Sequence, residues 1–263
     1  AIGWAWPRTR FLCDGPSMIE PKSTYGWRAK LGLIVPTTNT VNEAEWNMAA
    51  PDGVSIHGAR MVLHTDVTTK AGKAASFEDL RLAVNSLAPA GLDAIAYGCT
   101  AGSLMTPRHA LADFMTEVCG LPCVTTGAAI VDALVALDIA TVSVATPYDK
   151  NLNDHEAEFL DSQGIRVRAI EGLGFGANGP HEYALMHKVP KKDILQLVHK
   201  ADDPGADGLL ISCTDLPTFG LIEELEQALG KPVVTSSQAT LWAALSAAGL
   251  EPALPGLGRL LRG

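Results

Sequence analysis

From Lys30 onward, short apolar runs alternate with longer stretches in which apolar residues recur every three or four positions. The runs at 31–35, 54–61, 93–97, 122–125, 141–145, 165–170, 207–211 and 232–235 are β-branched or apolar and predict strands. Between them, the patterns at 76–87, 108–118, 128–137, 153–162, 192–199, 221–229 and 239–248 predict amphipathic helices. Strand and helix in strict alternation mean a parallel sheet with helices on both faces. Residues 1–29 show no such period. They carry Trp4, Trp6, Trp27 and Cys13, and read as an N-terminal arm lying over the domain or a neighbouring subunit.

The alternation is also duplicated. Asp93-Ala-Ile-Ala-Tyr-Gly-Cys99-Thr100 matches Asp207-Gly-Leu-Leu-Ile-Ser-Cys213-Thr214, with Asp and Cys at the same spacing. Downstream, Gly120-Leu-Pro-Cys-Val-Thr125 matches Gly230-Lys-Pro-Val-Val-Thr235, and each is followed by an Ala-rich helical pattern. Upstream, Ile34-Val-Pro36-Thr-Thr38 resembles Val144-Ala-Thr146-Pro-Tyr148. The repeat predicts an α/β protein of two pseudo-symmetric, doubly wound halves. The first would span 30–138 and the second 139–263, with the C-terminal helix a candidate to cross over. Ligands of open α/β sheets bind beyond the C-terminal strand ends, so both Cys-Thr pairs should face one cleft between the halves.

Composition narrows the partners. Of 263 residues, 47% are apolar and 19% charged, which excludes a disordered chain. Twenty basic against 29 acidic residues give a formal charge of −9, so nucleic acid is not an expected partner. No apolar run approaches the ~20 residues that span a bilayer, and no leader pattern opens the chain. Five cysteines are too few and too scattered for a disulfide scaffold. A reducing cytoplasm and a homodimer or homotetramer are the expected setting. Neither a phosphate-binding glycine loop nor a metal-ligand spacing is present, so no cofactor and no metal are expected.

The cysteines carry the candidate chemistry. A thiol at a strand end, just before a helix, lies near unpaired backbone N–H groups and the positive end of the helix dipole. Both favour the thiolate, which serves as nucleophile or base. A single such cysteine would read as core filling. Two at equivalent positions of a duplication, each followed by Thr, read as a catalytic pair. Cys119 and Cys123 flank a Gly-Leu-Pro turn and read as structural. Of the histidines, His57 and His64 flank a strand end with Arg60 between them, and read as satisfied polar neighbours or, alternatively, as part of the cleft lining. His109, His155, His187 and His199 read as surface residues, and the loop after Asn178, with His181 and Glu182, is a candidate lid.

On the motifs Gly32-Leu-Ile-Val-Pro36-Thr-Thr-Asn39, Tyr97-Gly-Cys99-Thr-Ala-Gly102-Ser, Ala145-Thr-Pro-Tyr148 and Ile211-Ser-Cys213-Thr214, residues 30–250 resemble the Asp/Glu racemase superfamily. Within it the chain is most similar to the maleate cis–trans isomerase and arylmalonate decarboxylase branch. It departs from the amino-acid racemases, which usually show Cys-Asn-Thr at the first cysteine, and from decarboxylases that lack that cysteine. The resemblance implies that Cys99 is the nucleophile adding to a double bond and Cys213 the acid or base on the opposite face. It makes Asn39 and Tyr148 ligands of a substrate carboxylate, with Asn178 in Gly176-Ala-Asn178-Gly a further one. Thr100 and Thr214 would add donors, and Pro36 would line the site.

Independently of any resemblance, the loops 36–39, 98–103, 146–148 and 212–214 are rich in Thr, Asn, Ser and Gly. Such loops hold a carboxylate through neutral donors, which also stabilise an enediolate. The expected activity is a cofactor-independent, two-cysteine reaction on a small carboxylic or dicarboxylic acid, first a maleate-type cis–trans isomerisation. Decarboxylation of a malonate-type acid and racemisation of an amino or hydroxy acid are the alternatives within the class. A non-catalytic carboxylate-binding protein is the alternative outside it.

Overall fold

The computed structural model describes residues 23–64 and 69–262. Most of the expected N-terminal arm, including Trp4, Trp6 and Cys13, lies outside the described residues. The portion inside them presents exposed Tyr25 and Trp27. Among the described residues eight strands run β1 (Ala29–Pro36), β2 (Val54–Met61), β3 (Ala94–Tyr97), β4 (Cys123–Thr125), β5 (Thr141–Tyr148), β6 (Arg166–Phe175), β7 (Gly208–Ile211) and β8 (Val233–Thr235). Among the described residues nine α-helices accompany them: α1 (Asn42–Ala49), α2 (Lys70–Leu87), α3 (Thr100–Leu104), α4 (Ala110–Cys119), α5 (Thr126–Ala136), α6 (Lys150–Ser162), α7 (Lys191–Ala201), α8 (Ile222–Leu229) and α9 (Ser236–Ala247). All eight expected strands and seven expected helices are present. The additions among the described residues are α1, α3 and four 3-10 stretches, the longest over Pro180–Lys188.

The strands form two four-stranded parallel sheets, in the orders β2-β1-β3-β4 and β6-β5-β7-β8. These are the same order twice, with the innermost strands β1, β3, β5 and β7 buried along all or nearly all of their length. The repeated residues do the same work in both halves. The Asp93 carboxylate accepts from the Lys30 amide at 2.7 Å, and the Asp207 carboxylate accepts from the Thr141 amide at 2.8 Å. Each therefore ties the start of its strand to the neighbouring one. Gly120 and Gly230 close α4 and α8 in the left-handed conformation, with φ of 71° and 70°. Thr125 and Thr235 are the N-caps of α5 and α9, their hydroxyls accepting from the amides of Ala128 and Gln238.

The halves are not separate bodies. Helices α5 and α9 pack side by side, and α9 also lies against β3 and β4 of the first sheet. The Thr240 hydroxyl donates to the Thr126 hydroxyl at 3.0 Å between those helices. Trp46 of α1, fully buried, donates from its indole N–H to the Ser237 carbonyl at 3.1 Å. The largest apolar cluster accordingly mixes Leu31, Leu33 and Ala96 of the first sheet with Ala145, Leu209 and Ile211 of the second. This packing sets the C-terminal ends of β1, β3, β5 and β7 against each other.

Candidate active site

A cavity of about 180 Å³ opens at that meeting point. It is lined by Pro36, Thr38 and Asn39 after β1, Cys99 to Gly102 after β3, Tyr148 at the end of β5, and Cys213 to Asp215 after β7. Leu63, His64, Met105, Leu152, Tyr183 and Met186 complete the wall. Of the expected site residues, Cys99, Cys213, Asn39, Tyr148, Thr100, Thr214 and Pro36 all come together here.

Asn178 does not. It is exposed, and its side-chain N–H donates to Glu182 at 2.8 Å, while the same carboxylate accepts from the Gly176 and Asn178 amides. Its physical cause is local: Gly174, Gly176 and Gly179 take positive φ, and the turn they form folds onto the Glu182 carboxylate, which holds Asn178 outside the cavity lining. The segment after it does form a wall, but through Tyr183 and Met186 rather than His181 and Glu182. His187, expected at the surface, faces Asp215 with its Nδ1 3.9 Å from Oδ2. His64 lines the cavity and is bonded to Asp79 at 2.8 Å, whereas His57 is bonded to Ser55. Cys119 and Cys123 stand with sulfurs 3.7 Å apart, half-buried beside the cluster of Ile95 and Met115, away from the cavity.

Cys99 is the N-cap of α3, and its sulfur accepts from the Gly102 amide at 3.4 Å. Gly102 is required for that approach: a Cβ there would collide with the Tyr97 hydroxyl and press on the Cys99 sulfur. Burial pushes the Cys99 thiol up, while the Gly102 amide and the Tyr97 hydroxyl pull it down. Cys213 takes a φ of 139°, strained for a residue with a Cβ. Its amide donates to the Ser236 hydroxyl at 2.9 Å, and its sulfur accepts from the Asp215 amide at 3.3 Å. Burial and then the Asp215 charge push this thiol up to about 12, against the pull of the Asp215 amide and the Tyr148 hydroxyl. Burial also drives Tyr148 well above the usual tyrosine range, so it stays a neutral donor.

The hydroxyls of Thr100 and Thr214 are committed to joining the halves. Thr100 donates to Ser236 at 3.0 Å, the same oxygen that receives the Cys213 amide. Thr214 donates to the Gly98 carbonyl at 3.0 Å and accepts from the Asn39 side chain at 3.0 Å. The Asn39 oxygen accepts from the amides of Val41 and Asn42, opening α1. Asn39 thus retains one side-chain N–H for a ligand. Ser236 was not legible in sequence, because a serine opening a helix after a strand is ordinary cap chemistry; only the fold reveals that it couples both cysteine loops. The walls Leu63, Met105, Tyr183 and Met186 come from separate connections with no shared local pattern.

Two thiols on one small cavity, at equivalent ends of duplicated parallel sheets, define an Asp/Glu racemase-like protein of the maleate isomerase and arylmalonate decarboxylase branch. The family model for arylmalonate decarboxylase matches residues 31–261, and the chain belongs to that family. It is 36% identical to arylmalonate decarboxylase of Bordetella bronchiseptica over 154 residues, 57% of this chain and 62% of that protein. It is 27% identical to maleate isomerase of Nocardia farcinica over 246 residues, covering 89% of this chain and 95% of that one. In structure, the Nocardia farcinica maleate cis–trans isomerase Cys→Ser variant with a covalently bound succinylcysteine intermediate superposes with a TM-score of 0.79 at 24% identity, covering 89% and 98%.

Proposed function

We propose that the chain isomerises a small unsaturated carboxylic acid between cis and trans forms, using Cys99 and Cys213 without a cofactor. One observation carries the reading: both thiols line a single cavity, each held by a backbone N–H on its sulfur and by a tyrosine hydroxyl. The Cys99 thiolate adds to one alkene carbon, forming a C–S bond, and the π pair moves into the carboxylate as an enediolate. The Cys213 S–H then protonates the other carbon and leaves a saturated thioether. Rotation about the new single bond, return of that proton to Cys213 and loss of Cys99 give the other isomer, with no net proton consumed. A succinylcysteine in the Nocardia farcinica enzyme is a saturated adduct of this kind. The amides that open α3 and the Tyr148 hydroxyl are the donors for the enediolate. Free thiols suit a reducing cytoplasm.

A second reading is decarboxylation of a malonate-type acid, favoured by the apolar wall of Leu63, Met105, Leu152 and Met186, which suits a bulky apolar substituent. Proton NMR in deuterated water with maleate and substituted malonates tests both. Conversion of the cis alkene signals into trans signals is the expected result. Loss of carbon dioxide with deuterium at the α-carbon, and no isomerisation, would replace the first reading with the second.

A further inference from the structure

Asp215 is the one carboxylate among the described residues that line the cavity. It is buried, with 6% of its surface exposed. A carboxylate there repels the anionic ligand that the site is built to hold, so its presence calls for a role. Capping alone does not require the charge: Oδ1 accepts from the Thr40 amide at 3.0 Å, and an asparagine oxygen would accept equally well. What the position adds is proximity to one thiol. Asp215 lies on the same tight turn as Cys213, two residues on, with its own amide on that sulfur at 3.3 Å. In the first half the corresponding turn, Cys99-Thr100-Ala101, offers no charge.

We propose that Asp215 is a positioning residue that keeps Cys213 as the neutral, proton-donating thiol, so that two cysteines in a duplicated frame take opposite roles. The inference rests on the two-thiol reading above. After burial, the charge of Asp215 is the largest influence raising the Cys213 thiol, whereas for Cys99 it is the smallest of four influences. The groups facing the carboxylate are the amides of Thr40 and Val41 before α1, His187 from the 3-10 stretch and Arg60 from β2. Around the Cys213 sulfur stand Tyr148 from β5, Met186 and, across the cavity, Cys99. A negative Asp215 makes a second negative charge on Cys213 unfavourable; protonating Asp215 relieves this.

The test is the pH dependence of iodoacetamide labelling of each cysteine in the intact chain, read peptide by peptide by mass spectrometry, with no substrate present. In Asp215→Asn, Cys213 labelling at pH 8 should accelerate by roughly tenfold, one unit in its midpoint, while Cys99 labelling changes far less. Asp215→Ser, which keeps an acceptor for Thr40, should shift Cys213 in the same direction if the asparagine variant does not fold. An unmoved Cys213 profile in a folded variant overturns the proposal, and so does an equal shift of both cysteines. Because the readout needs no turnover, an inactive substrate panel would count against the isomerase reading and leave this result standing.

Discussion

The loops that follow β3 and β7 descend from one repeat yet hold their cysteines in different ways. After β3 the chain enters α3 at once, Cys99 keeps an ordinary extended φ of −140°, and its sulfur is served by Gly102 and Tyr97 of its own half. After β7 no helix forms for several residues. Cys213 is held at a φ of 139°, its amide fixed by Ser236 and its sulfur neighboured by Asp215 and by Met186 at 3.8 Å. Duplication thus supplies two thiols at matched positions, and divergence of three or four following residues supplies the chemical asymmetry. On the two-thiol reading, a nucleophile needs its negative charge supported, which the Gly102 amide and the Tyr97 hydroxyl do for Cys99 against its burial; an acid needs that charge disfavoured, which Asp215 does for Cys213.

The largest effect that would break this contrast comes from the thiols themselves. Cys99→Ala and Cys213→Ala should each cost at least about a thousandfold in turnover, since paired catalytic groups act as a unit. They should differ in what accumulates. Cys213→Ser, incubated with substrate, should still accept a covalent adduct on Cys99, seen as added mass on that peptide, while Cys99→Ser should accept none on Cys213. Adducts of equal yield on both would make the two loops chemically equivalent.

Next in size is Tyr148, the hydroxyl that faces the Cys213 sulfur from β5. A fixed neutral donor in a dry cavity is worth ~3 kcal/mol in the transition state. Tyr148→Phe should therefore lower kcat by ~100-fold while weakening binding of a saturated dicarboxylate much less. Equal losses in kcat and binding would mean that Tyr148 grips only the ground state.

A third contrast concerns two buried carboxylates. Asn42-x-x-Glu45 in α1 and Asn153-x-x-Glu156 in α6 follow β1 and β5 with the same spacing, and both glutamates are pushed up to about 7 by burial. Glu45 accepts from the amides of Thr218 at 2.5 Å and Phe219 at 2.9 Å through one oxygen, with the Ser237 hydroxyl also beside the carboxyl. An unfolded glutamate loses its proton near 4.5 and the folded one near 7, so between those values the folded state holds more protons. Stability therefore falls as pH rises from about 4.5 to 7, by about 3 kcal/mol for Glu45, and the loss is complete above 7. Glu45→Gln, which keeps the accepting oxygen, should be close to neutral at pH 4.5 and stabilising at pH 8 in urea unfolding. A constant difference across pH would show that Glu45 does not hold its proton in the fold.

Those two helices also show where sequence reading succeeds and stops. The sheets were legible because three residue pairs of the repeat have local jobs: Asp93 and Asp207 tie strands, Thr125 and Thr235 cap helices, and Gly120 and Gly230 end them. Helix α1 was not, since the face it buries carries Asn42, Glu45 and Trp46 rather than an apolar stripe. Its polar contacts are with residues far along the chain, and no local pattern announces them. The paired cysteines were legible through their position in the repeat. Asp215 was not, because no local pattern shows that the carboxylate two residues after Cys213 is buried on the cavity wall.

The smallest expected effect sharpens the same point by comparing two asparagines that resemblance placed in one role. Asn39 sits between the halves, 2% exposed, with its oxygen on two amides and its N–H on Thr214. Asn178 is exposed, and its side chain serves only Glu182 four residues later. Removing it deletes a solvent-exposed hydrogen bond, a contribution of the order of 1 kcal/mol or less, and leaves the Gly176 amide bond to Glu182 in place. Asn178→Ala should therefore keep kcat and KM within about twofold and shift the unfolding midpoint barely. If KM instead rose tenfold or more with kcat preserved, substrate would be drawing this loop inward on binding, and the site would extend beyond the cavity that the two cysteine loops enclose.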